Sequence, residues 1–558
     1  MAKLYFNLRC PYFHETINPM RSPFVILIFI IIAVLLFLLD SIFLSNQAQL
    51  KLQVDSLIEP KQSSGDQKTK ESPVQPLQFF SLSDFELEMI NDLQVNDLED
   101  VLLLVADPID LAHLQKSESK SGFYLTDIVP QLGAVRLRIT DPLKFSKILS
   151  EIKNDFDLQK NINFNIPSLP EPRMLETEKP FIGTSMEWLG VSSDRKDRGR
   201  GVKVAILDTG IDPSHPALEG LSLSQMSLVP GEVLSARGHG TGIASIIAGQ
   251  SPDFLGLAPS SEILSIRVLD ENGRGDAFTI AKGILTAVNE GAQLINLSLG
   301  GMESSPVIDS AIQFAKSKGA ILVSATGNSG LPEVSYPARH KDVIGVSSVD
   351  AQSRVSSFSN YGKGVDIAAP GVGVVTAWEN NEFTHFSGTS IAAAFVTGAL
   401  ASEISASPSN DSALALESLY ANADETEKPG VDKWAGRGVL NVRRLEQKNT
   451  PGIVDVAVVG YYFDSENLSS SGTKPFQVTV QNQGTTWIQN MNLKVNYKGL
   501  ERNFIIGNLS KGEIRSETLY FDSGNSEKKL SISSEAILSG QVDINPHNNL
   551  RKSVLAIP

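Results

Sequence analysis

Four polar residues in this sequence of 558 residues stand in contexts that could support catalysis. Asp208 ends the apolar run VAILD, His239 lies between glycines in GHGTG, Asn328 follows the apolar run ILVSAT, and Ser390 begins the small-residue segment SIAAAFVTGALAS. A serine hydroxyl is too weakly acidic to attack a carbonyl group unaided, so it needs a base such as histidine within reach. A carboxylate can orient that base, and an amide can stabilise an oxyanion. Together these residue types indicate nucleophilic acyl transfer.

Each of these residues also has an ordinary structural explanation. A lone histidine is most often structural, a serine at a helix start is most often an N-cap, and an asparagine after a strand is usually a turn former. The tripeptide Asp-Thr-Gly at Asp208 also raises a carboxylate dyad with Asp522, which begins a similar Asp-Ser-Gly. That mechanism needs two carboxylates in equivalent strand contexts. Asp522 lies in a polar turn of an unrelated region, so we exclude the dyad.

The segments that must position these residues alternate between strand and helix patterns. The short apolar runs VKVAILD, EILSIRVLD, QLINLSL, AILVSAT and DVIGVSSV are separated mostly by helical patterns. Strands that alternate with helices predict an α/β fold with a parallel sheet and helices on both faces. In such sheets the functional residues gather at the carboxyl ends of the strands, where Asp208 and Asn328 stand.

The motifs that contain these residues, DTGID, HGTG, ATGNSG and GTSIAA, resemble those of the subtilisin-like serine proteases, the subtilases. The resemblance covers residues 181–447 and includes IGTSMEWLGV, INLSLGG and GRGVLNVRRL. It implies a serine endopeptidase that hydrolyses polypeptides through an acyl-enzyme. It also implies that Asp208, His239 and Ser390 form the triad, with Asn328 as an oxyanion donor.

The same resemblance implies where a polypeptide substrate binds. Ser298, Leu299 and Gly300 would form a backbone edge that pairs with an extended peptide. Ser335, just before Tyr336, aligns with the floor of the first specificity pocket and carries no charge. We therefore expect a broad or apolar preference rather than strict cleavage after basic residues.

Two features depart from the usual pattern of the subtilases. Ala394 stands where the serine motif commonly has proline, and Phe395 follows it, which could alter the seating of the nucleophile and the turnover rate. The segment AGQSPDFLGLAP is short where relatives carry a calcium loop, so we expect no calcium site there. We expect no cofactor and identify no metal ligands, although weak cation sites elsewhere remain open.

The N-terminal region has the pattern of a membrane anchor. Residues 24–39 are all apolar, and residues 24–44 reach the length that spans a bilayer. Basic residues precede this segment and Asp40 follows it, which places residues 1–23 in the cytoplasm and the rest outside. A cleavable signal peptide is the alternative, but the small-residue cleavage pattern is poor. Residues 45–78 are polar and predict a flexible linker.

Two further domains flank the peptidase-like region. Residues 79–165 have a mixed α+β pattern that resembles the subtilase propeptide, a folding assistant and inhibitor, with a generic envelope domain as the alternative. Residues 166–180 are rich in proline and predict a cleavage-prone linker, so self-cleavage there would release the peptidase from its anchor. Residues 452–558 alternate between short strands and turns, which predicts an all-β sandwich that resembles CARDB, an immunoglobulin-like module.

Composition excludes several other classes. The formal net charge is -15, with 63 acidic against 48 basic residues and no basic run, so we expect no binding to nucleic acid. The single cysteine, Cys10, excludes an intrachain disulfide. Two rival functions remain: a catalytically idle scaffold in the cell envelope, and a protease whose chief substrate is itself.

Overall fold

The computed structural model describes residues 100–556, except for 106, 118–121, 153–155, 193, 230–237, 252–253, 408, 464–472 and 523–528. The expected segments 1–23, 24–44 and 45–78 lie outside the described residues, as does the start of the 79–165 domain. Within the described ranges the α-helices are α1 Pro108–Ser117, α2 Pro142–Leu149, α3 Pro172–Leu175, α4 Ser185–Trp188, α5 Gly238–Ala248, α6 Ala277–Asn289, α7 Pro306–Ser317, α8 Thr389–Ala406, α9 Ser412–Ala421 and α10 Val442–Gln447. The strands up to the end of the peptidase-like region are β1 Val101–Val105, β2 Phe123–Val129, β3 Ala134–Ile139, β4 Phe156–Lys160, β5 Asn163–Asn165, β6 Lys203–Asp208, β7 Leu223–Ser227, β8 Gln250–Ser251, β9 Phe254–Leu255, β10 Glu262–Arg267, β11 Arg274–Asp276, β12 Leu294–Leu297, β13 Ile321–Ala325, β14 Val343–Val349, β15 Ile367–Pro370, β16 Val374–Ala377 and β17 Phe383–Phe386. The later strands are β18 Val456–Phe463, β19 Thr473–Asn482, β20 Ile488–Tyr497, β21 Leu500–Leu509, β22 Ile514–Asp522, β23 Lys529–Ile537 and β24 Leu550–Ala556.

A parallel sheet forms the centre of the peptidase-like region. Its order among the described strands is β15-β14-β13-β12-β6-β10-β7. Because successive residues of a strand point to opposite faces, β6 divides between two cores: Val204 and Ile206 pack with α5 and α8, whereas Ala205 and Leu207 pack with α6 and α7. Burial on both faces explains the nearly continuous apolar strands. The prediction of a parallel sheet with helices on both faces is confirmed.

An antiparallel sheet with the order β2-β3-β1-β4 precedes this region. In β1, Val101 and Leu103 face a core that contains Phe145 and Leu149 of α2. Leu102, between them, faces the opposite way and packs in the core that contains α6 and α7. The sheet therefore has helices of its own domain on one face and helices of the peptidase-like region on the other.

The C-terminal region consists of two antiparallel sheets among the described strands. One has the order β18-β19-β22 and the other the order β21-β20-β23-β24. Their inner faces share a core of side chains that includes Val478, Leu493 and Ile532. The prediction of an all-β sandwich is confirmed.

A polar junction joins the sandwich to the peptidase-like region. Buried Arg444 of α10 donates to the carbonyl of Ala423 at 2.6 Å and to the carbonyl of Gln483, in the sandwich, at 3.2 Å. Gln481 accepts from the backbone N–H of Glu425 at 3.0 Å. These bonds pair backbone groups that would otherwise be buried without partners, which costs about 1–3 kcal/mol for each group.

The carboxyl group of Glu425 at this junction makes stability depend on pH. Its oxygens accept from the N–H groups of Thr426 and Gly430, both at 2.9 Å, but burial raises its pKa from 4.5 to about 7. Between these values the folded protein holds a proton that the unfolded chain has released, so the free energy of unfolding falls as the pH rises from 4.5 to 7. We expect a decrease of up to about 3 kcal/mol for this group, measured by denaturant unfolding between pH 5 and 8.

Glu425→Gln should flatten this pH dependence, whatever it does to stability at a single pH. Glu417→Gln is the matched control, since Glu417 is exposed on α9, and it should keep the wild-type slope. An equal slope in wild type and Glu425→Gln would contradict the assignment.

Candidate active site

Asp208 and His239 form a buried pair at the carboxyl edge of the parallel sheet. Asp208 is the last residue of β6, and His239 is the second residue of α5. The Nδ1 of His239 lies 2.9 Å from both carboxylate oxygens of Asp208. The backbone N–H of Thr209 donates to the same carboxylate at 2.7 Å, which fixes its orientation. The carboxylate therefore holds the imidazole with its Nε2 facing away from the pair.

Ser390 stands in the first turn of α8, on the same edge of the sheet. Its side chain is buried, and its hydroxyl lies 3.5 Å from the carbonyl of Ser298. The Nε2 of His239 is buried and has no hydrogen-bond partner among the described residues. A polar atom in that position is available to a hydroxyl that rotates towards it, and catalytic hydrogen bonds often tighten only when substrate is bound.

Asn328 lies in the turn after β13 and is held with its amide nitrogen facing the site. Its Oδ1 accepts from the backbone N–H of Thr389 at 2.9 Å and from the Thr389 hydroxyl at 2.8 Å. Its Nδ2 donates to the carbonyl of Ser168 at 3.0 Å. A side chain on Gly388 would place a Cβ 3.0 Å from this Nδ2, so a larger residue at this position would crowd the amide. The group that Asn328 binds is thus a peptide carbonyl of the preceding linker.

Asn360 supports the turn that carries Asn328, and sequence reasoning missed it. Its Oδ1 accepts from the N–H groups of Ser329 and Leu331, both at 3.0 Å, and its own N–H donates to the carbonyl of Gly327 at 2.9 Å. The side chain is buried. The segment SNYG reads as an ordinary turn, so no pattern in the sequence marks this role. Thr389 was likewise not identified, although it stands next to Ser390.

The proposed substrate edge is occupied by a segment of the same chain. Gly300 exchanges two backbone hydrogen bonds with Asn165, at 2.9 and 3.1 Å. On the other side, β5 pairs with β11 and Ile166 donates to the carbonyl of Gly273 at 2.9 Å. Residues 163–166 therefore lie as an extended strand between two backbone edges.

The other predicted substrate residues take different positions. Leu299 is fully buried in the core with α6 and α7, so it contributes backbone rather than side chain to the edge. Ser298 is buried and accepts from Asn296 at 2.9 Å. Ser335 is also buried, and its hydroxyl would contact a Cβ on Gly327 at 2.5 Å. Ser335 therefore adjoins the turn of Asn328.

After Ser168 the chain continues along the peptidase-like region. The carbonyl of Met174 accepts from the hydroxyl of Ser357 at 3.0 Å, and the carbonyl of Thr177 accepts from Arg354 at 2.8 Å. Lys179 donates its N–H to Asp350 at 3.2 Å. The predicted linker 166–180 therefore runs across the site as a continuous chain, and beyond Ser168 these hydrogen bonds hold it to the peptidase-like region.

The antiparallel domain also contacts the start of α6 by charged groups. Arg136 pairs with Asp100 at 2.6 Å and with Asp276, the N-cap of α6, at 3.3 Å. Lys282 of α6 pairs with Asp127 at 2.6 Å. The pairs Arg136–Asp276 and Lys282–Asp127 join the domain to α6 and, with the apolar contact of Leu102, fix how the domain sits on the two helices.

The two residues that depart from the usual serine motif lie inside helix α8. Helix α8 runs unbroken through Ala394 and Phe395, both fully buried in the core. In the described part of the chain, α8 is the helix long and apolar enough to cross a bilayer, but most of it is buried inside the protein.

The described residues contain no group of three or more His, Cys, Asp or Glu placed to hold a metal ion. Asp522 ends β22 in the sandwich, in a different region from Asp208.

Known proteins are similar to this chain across the site. The Subtilase family matches residues 199–438, a range that contains Asp208, His239, Asn328 and Ser390. Subtilisin BL from Lederbergia lenta is 42% identical over 207 residues, which are 36% of this chain and 76% of the relative. The thermostable alkaline protease of Halalkalibacterium halodurans is 31% identical over 366 residues, which are 65% of this chain and 96% of the relative.

One solved structure bears on the fold. The epidermin leader peptide processing serine protease from Staphylococcus aureus matches with a TM-score of 0.54 at 23% identity. The match covers 63% of this chain and 99% of that one. The two chains therefore share their fold over the matched part of this chain.

Proposed function

Because this chain belongs to the subtilase family and is a subtilisin-like serine endopeptidase, we propose that Asp208, His239 and Ser390 are its catalytic triad. His239 takes the proton of the Ser390 hydroxyl as the oxygen attacks a peptide carbonyl, and later returns it to the leaving amine. Asp208 holds the tautomer with the proton on Nδ1 and stabilises the imidazolium. The buried Asp208–His239 pair supports these roles, as does the Nε2 of His239, which has no hydrogen-bond partner among the described residues.

Asn328 stabilises the oxyanion together with the backbone N–H of Ser390. The observation that carries the proposal is the hydrogen bond of 3.0 Å from Asn328 Nδ2 to the carbonyl of Ser168. An amide at hydrogen-bond distance from a carbonyl, beside a serine at a helix start, has the geometry that acyl transfer requires. The N-terminal end of the α8 dipole adds positive potential at the same point.

Polypeptides are the substrates, bound as an extended strand. The pairing of residues 163–166 with Gly300 and Gly273 supports this mode, since it uses backbone groups that any peptide offers. Selectivity then depends on the pockets. The small, uncharged Ser335 beside the Asn328 turn supports acceptance of uncharged residues rather than strict cleavage after basic ones.

The chain is a zymogen that cleaves itself between Ser168 and Leu169. The carbonyl that Asn328 contacts belongs to Ser168, so the bond to Leu169 is the one presented for attack. This bond lies inside the segment 166–180. Domain 79–165 then acts as an inhibitor, because it leaves its last strand in the substrate cleft and is held to α6 and α7 by Leu102 and by the ion pairs Arg136–Asp276 and Lys282–Asp127.

We place the peptidase outside the cytoplasm, anchored by residues 24–44 until self-cleavage. The apolar run and the basic residues before it support this orientation. Cleavage after Ser168 cuts the chain between the anchor and the peptidase. The activity needs no cofactor in this proposal.

An intact-mass time course of the full-length protein in detergent tests the proposal, with N-terminal sequencing of any new fragment. We expect a large fragment that begins Leu-Pro-Glu-Pro-Arg, the sequence from Leu169. A serine-reactive phosphonate should label the same fragment, since only an activated serine reacts. A fragment that begins at another residue contradicts the assignment of the Ser168–Leu169 bond. Labelling of Ser390 without cleavage contradicts the zymogen. If neither cleavage nor labelling occurs, the result supports the catalytically idle scaffold.

A further inference from the structure

A cleft of about 1380 Å³ separates the loop of residues 351–354 from the C-terminal sandwich. It lies outside the catalytic residues and is larger than the ~300–1,000 Å³ that small-molecule pockets occupy. Its walls are held in place: Thr426 donates to the carbonyl of Ser353 at 3.0 Å, and Tyr461 donates to the carbonyl of Arg551 at 2.8 Å. Ser353 and Glu427 on the wall have left-handed backbones, with φ of 60° and 57°. Such conformations persist where the surroundings impose them and are common at functional sites.

Strand β24 presents an open edge to this cleft. Among the described strands, β24 is the last of its sheet and pairs only with β23. On the adjacent edge, β18 is already engaged, because Val458 donates to the carbonyl of Asn548 at 3.0 Å and the carbonyl of Val459 accepts from Arg551. Residues 552–555 of β24 line the cleft with no strand beside them in the described part of the chain. An open edge of this kind is a template for an added strand.

The cleft is basic although the whole chain is acidic. Apart from two tyrosines, its titratable lining comprises four basic side chains, one acidic side chain and a histidine: Arg354, Lys498, Arg551, Lys552, Glu427 and His547. Asp350 lies behind the wall and pairs with Arg354. Burial raises the pKa of Glu427 and lowers that of Arg551, so the basic character of the lining rests on the number of basic side chains. The cleft therefore favours an anionic partner.

Side chains along β24 narrow the class of partner. Leu550, Lys552 and Val554 alternate along the strand and are exposed, Val554 by 64%. Alternate residues of a strand share one face, so the order on this face is aliphatic, cationic, aliphatic. Opposite charges and aliphatic pairs stabilise neighbouring strands. An added strand with an acidic residue between two aliphatic ones matches this face.

We propose that the cleft binds an extended acidic polypeptide segment as an additional strand along β24. This site is separate from the peptidase site, and its occupancy requires no catalysis. An acidic segment of a substrate or partner polypeptide would be held there while another part of it reaches the active site. The proposal commits to a peptide, rather than another polyanion, because the open backbone edge offers pairing that only a peptide backbone returns.

Binding of a labelled peptide to full-length protein carrying Ser390→Ala, in detergent and low salt, tests this proposal. The probe is fluorescein-labelled Thr-Val-Thr-Glu-Thr-Val-Thr, followed by fluorescence anisotropy. Its glutamine counterpart should bind about 10-fold more weakly, since it lacks the charge. A version with N-methyl groups on alternate residues keeps the charge but cannot pair as a strand, and it should also lose about 10-fold.

Lys552→Glu should weaken binding of the acidic probe by about 10-fold, because it replaces attraction with repulsion. Lys529→Glu is the matched control, since Lys529 is an exposed lysine on the neighbouring strand β23 and outside the cleft, and it should bind as the parent does. Both positions are exposed, so neither variant disturbs the core. If the glutamine probe binds as tightly as the glutamate probe, or if Lys552→Glu leaves binding unchanged, the proposed acidic-peptide site is overturned. Equal binding of the N-methylated probe, with displacement by inorganic polyphosphate, overturns strand addition in favour of a general polyanion surface.

Discussion

Ser390→Ala abolishes both self-cleavage and hydrolysis of added peptides, and it has the largest expected effect of any single substitution. Without the hydroxyl no acyl-enzyme forms, and the oxyanion donors alone sustain only residual catalysis. We expect kcat to fall by about 10⁶-fold, the size of the loss known for subtilisin. Intact mass should show one species over a time course in which the wild type yields the fragment from Leu169. The phosphonate probe should leave the variant unlabelled.

The control for this substitution is Ser402→Ala. Ser402 lies on the same helix, α8, three turns beyond Ser390, and is also largely buried. Its loss should leave kcat within a few-fold of the wild type. If Ser390→Ala still produced the fragment from Leu169 in purified protein, Ser390 would not be the nucleophile.

Asp208→Asn should lower kcat by about 10⁴-fold with little change in fold. The amide has the same shape as the carboxylate, but it favours the wrong tautomer of His239 and cannot stabilise the imidazolium. Peptide hydrolysis measured at saturating substrate should therefore fall while KM changes little. The loss is smaller than for Ser390→Ala, because the serine and histidine remain and the oxyanion donors are intact.

Asp212→Asn is the matched control for the triad carboxylate. Asp212 follows closely in the same loop, where its carboxylate accepts from the N–H of Ser214 at 2.9 Å rather than from a histidine. It should keep kcat near the wild-type value. A loss of kcat in Asp208→Asn no larger than in Asp212→Asn would contradict the role of Asp208 as the partner of His239.

In the central parallel sheet the predicted strands lie at the centre, and the missed ones lie at the edges. The five apolar runs in the peptidase-like region became β6, β10, β12, β13 and β14, whereas β7 and β15 at the two edges were not predicted. A central strand is covered on both sides and faces, so its residues must be apolar, whereas an edge strand is partly exposed and carries a weaker pattern.

In the site as well, some residues could be predicted from the sequence and others could not. The types and order of Asp208, His239, Asn328 and Ser390 were visible because acyl transfer requires those functional groups. Asn360 and Thr389 were not, because they act by hydrogen bonds to Asn328 and its turn, and any polar residue in a turn looks the same in sequence. Such bonds depend on which loops meet in space.

The sequence by itself determined the reaction class and the central parallel sheet, because catalytic chemistry and burial restrict the residue types at each position. Only the tertiary structure decided which peptide bond faces Asn328, since Ser168 is 160 residues away along the chain. It also gathered Arg354, Lys498 and Lys552 into one basic cleft, although the sequence contains no basic run. The physical reason is that contacts between distant segments follow from how strands and helices pack, and local composition does not encode them.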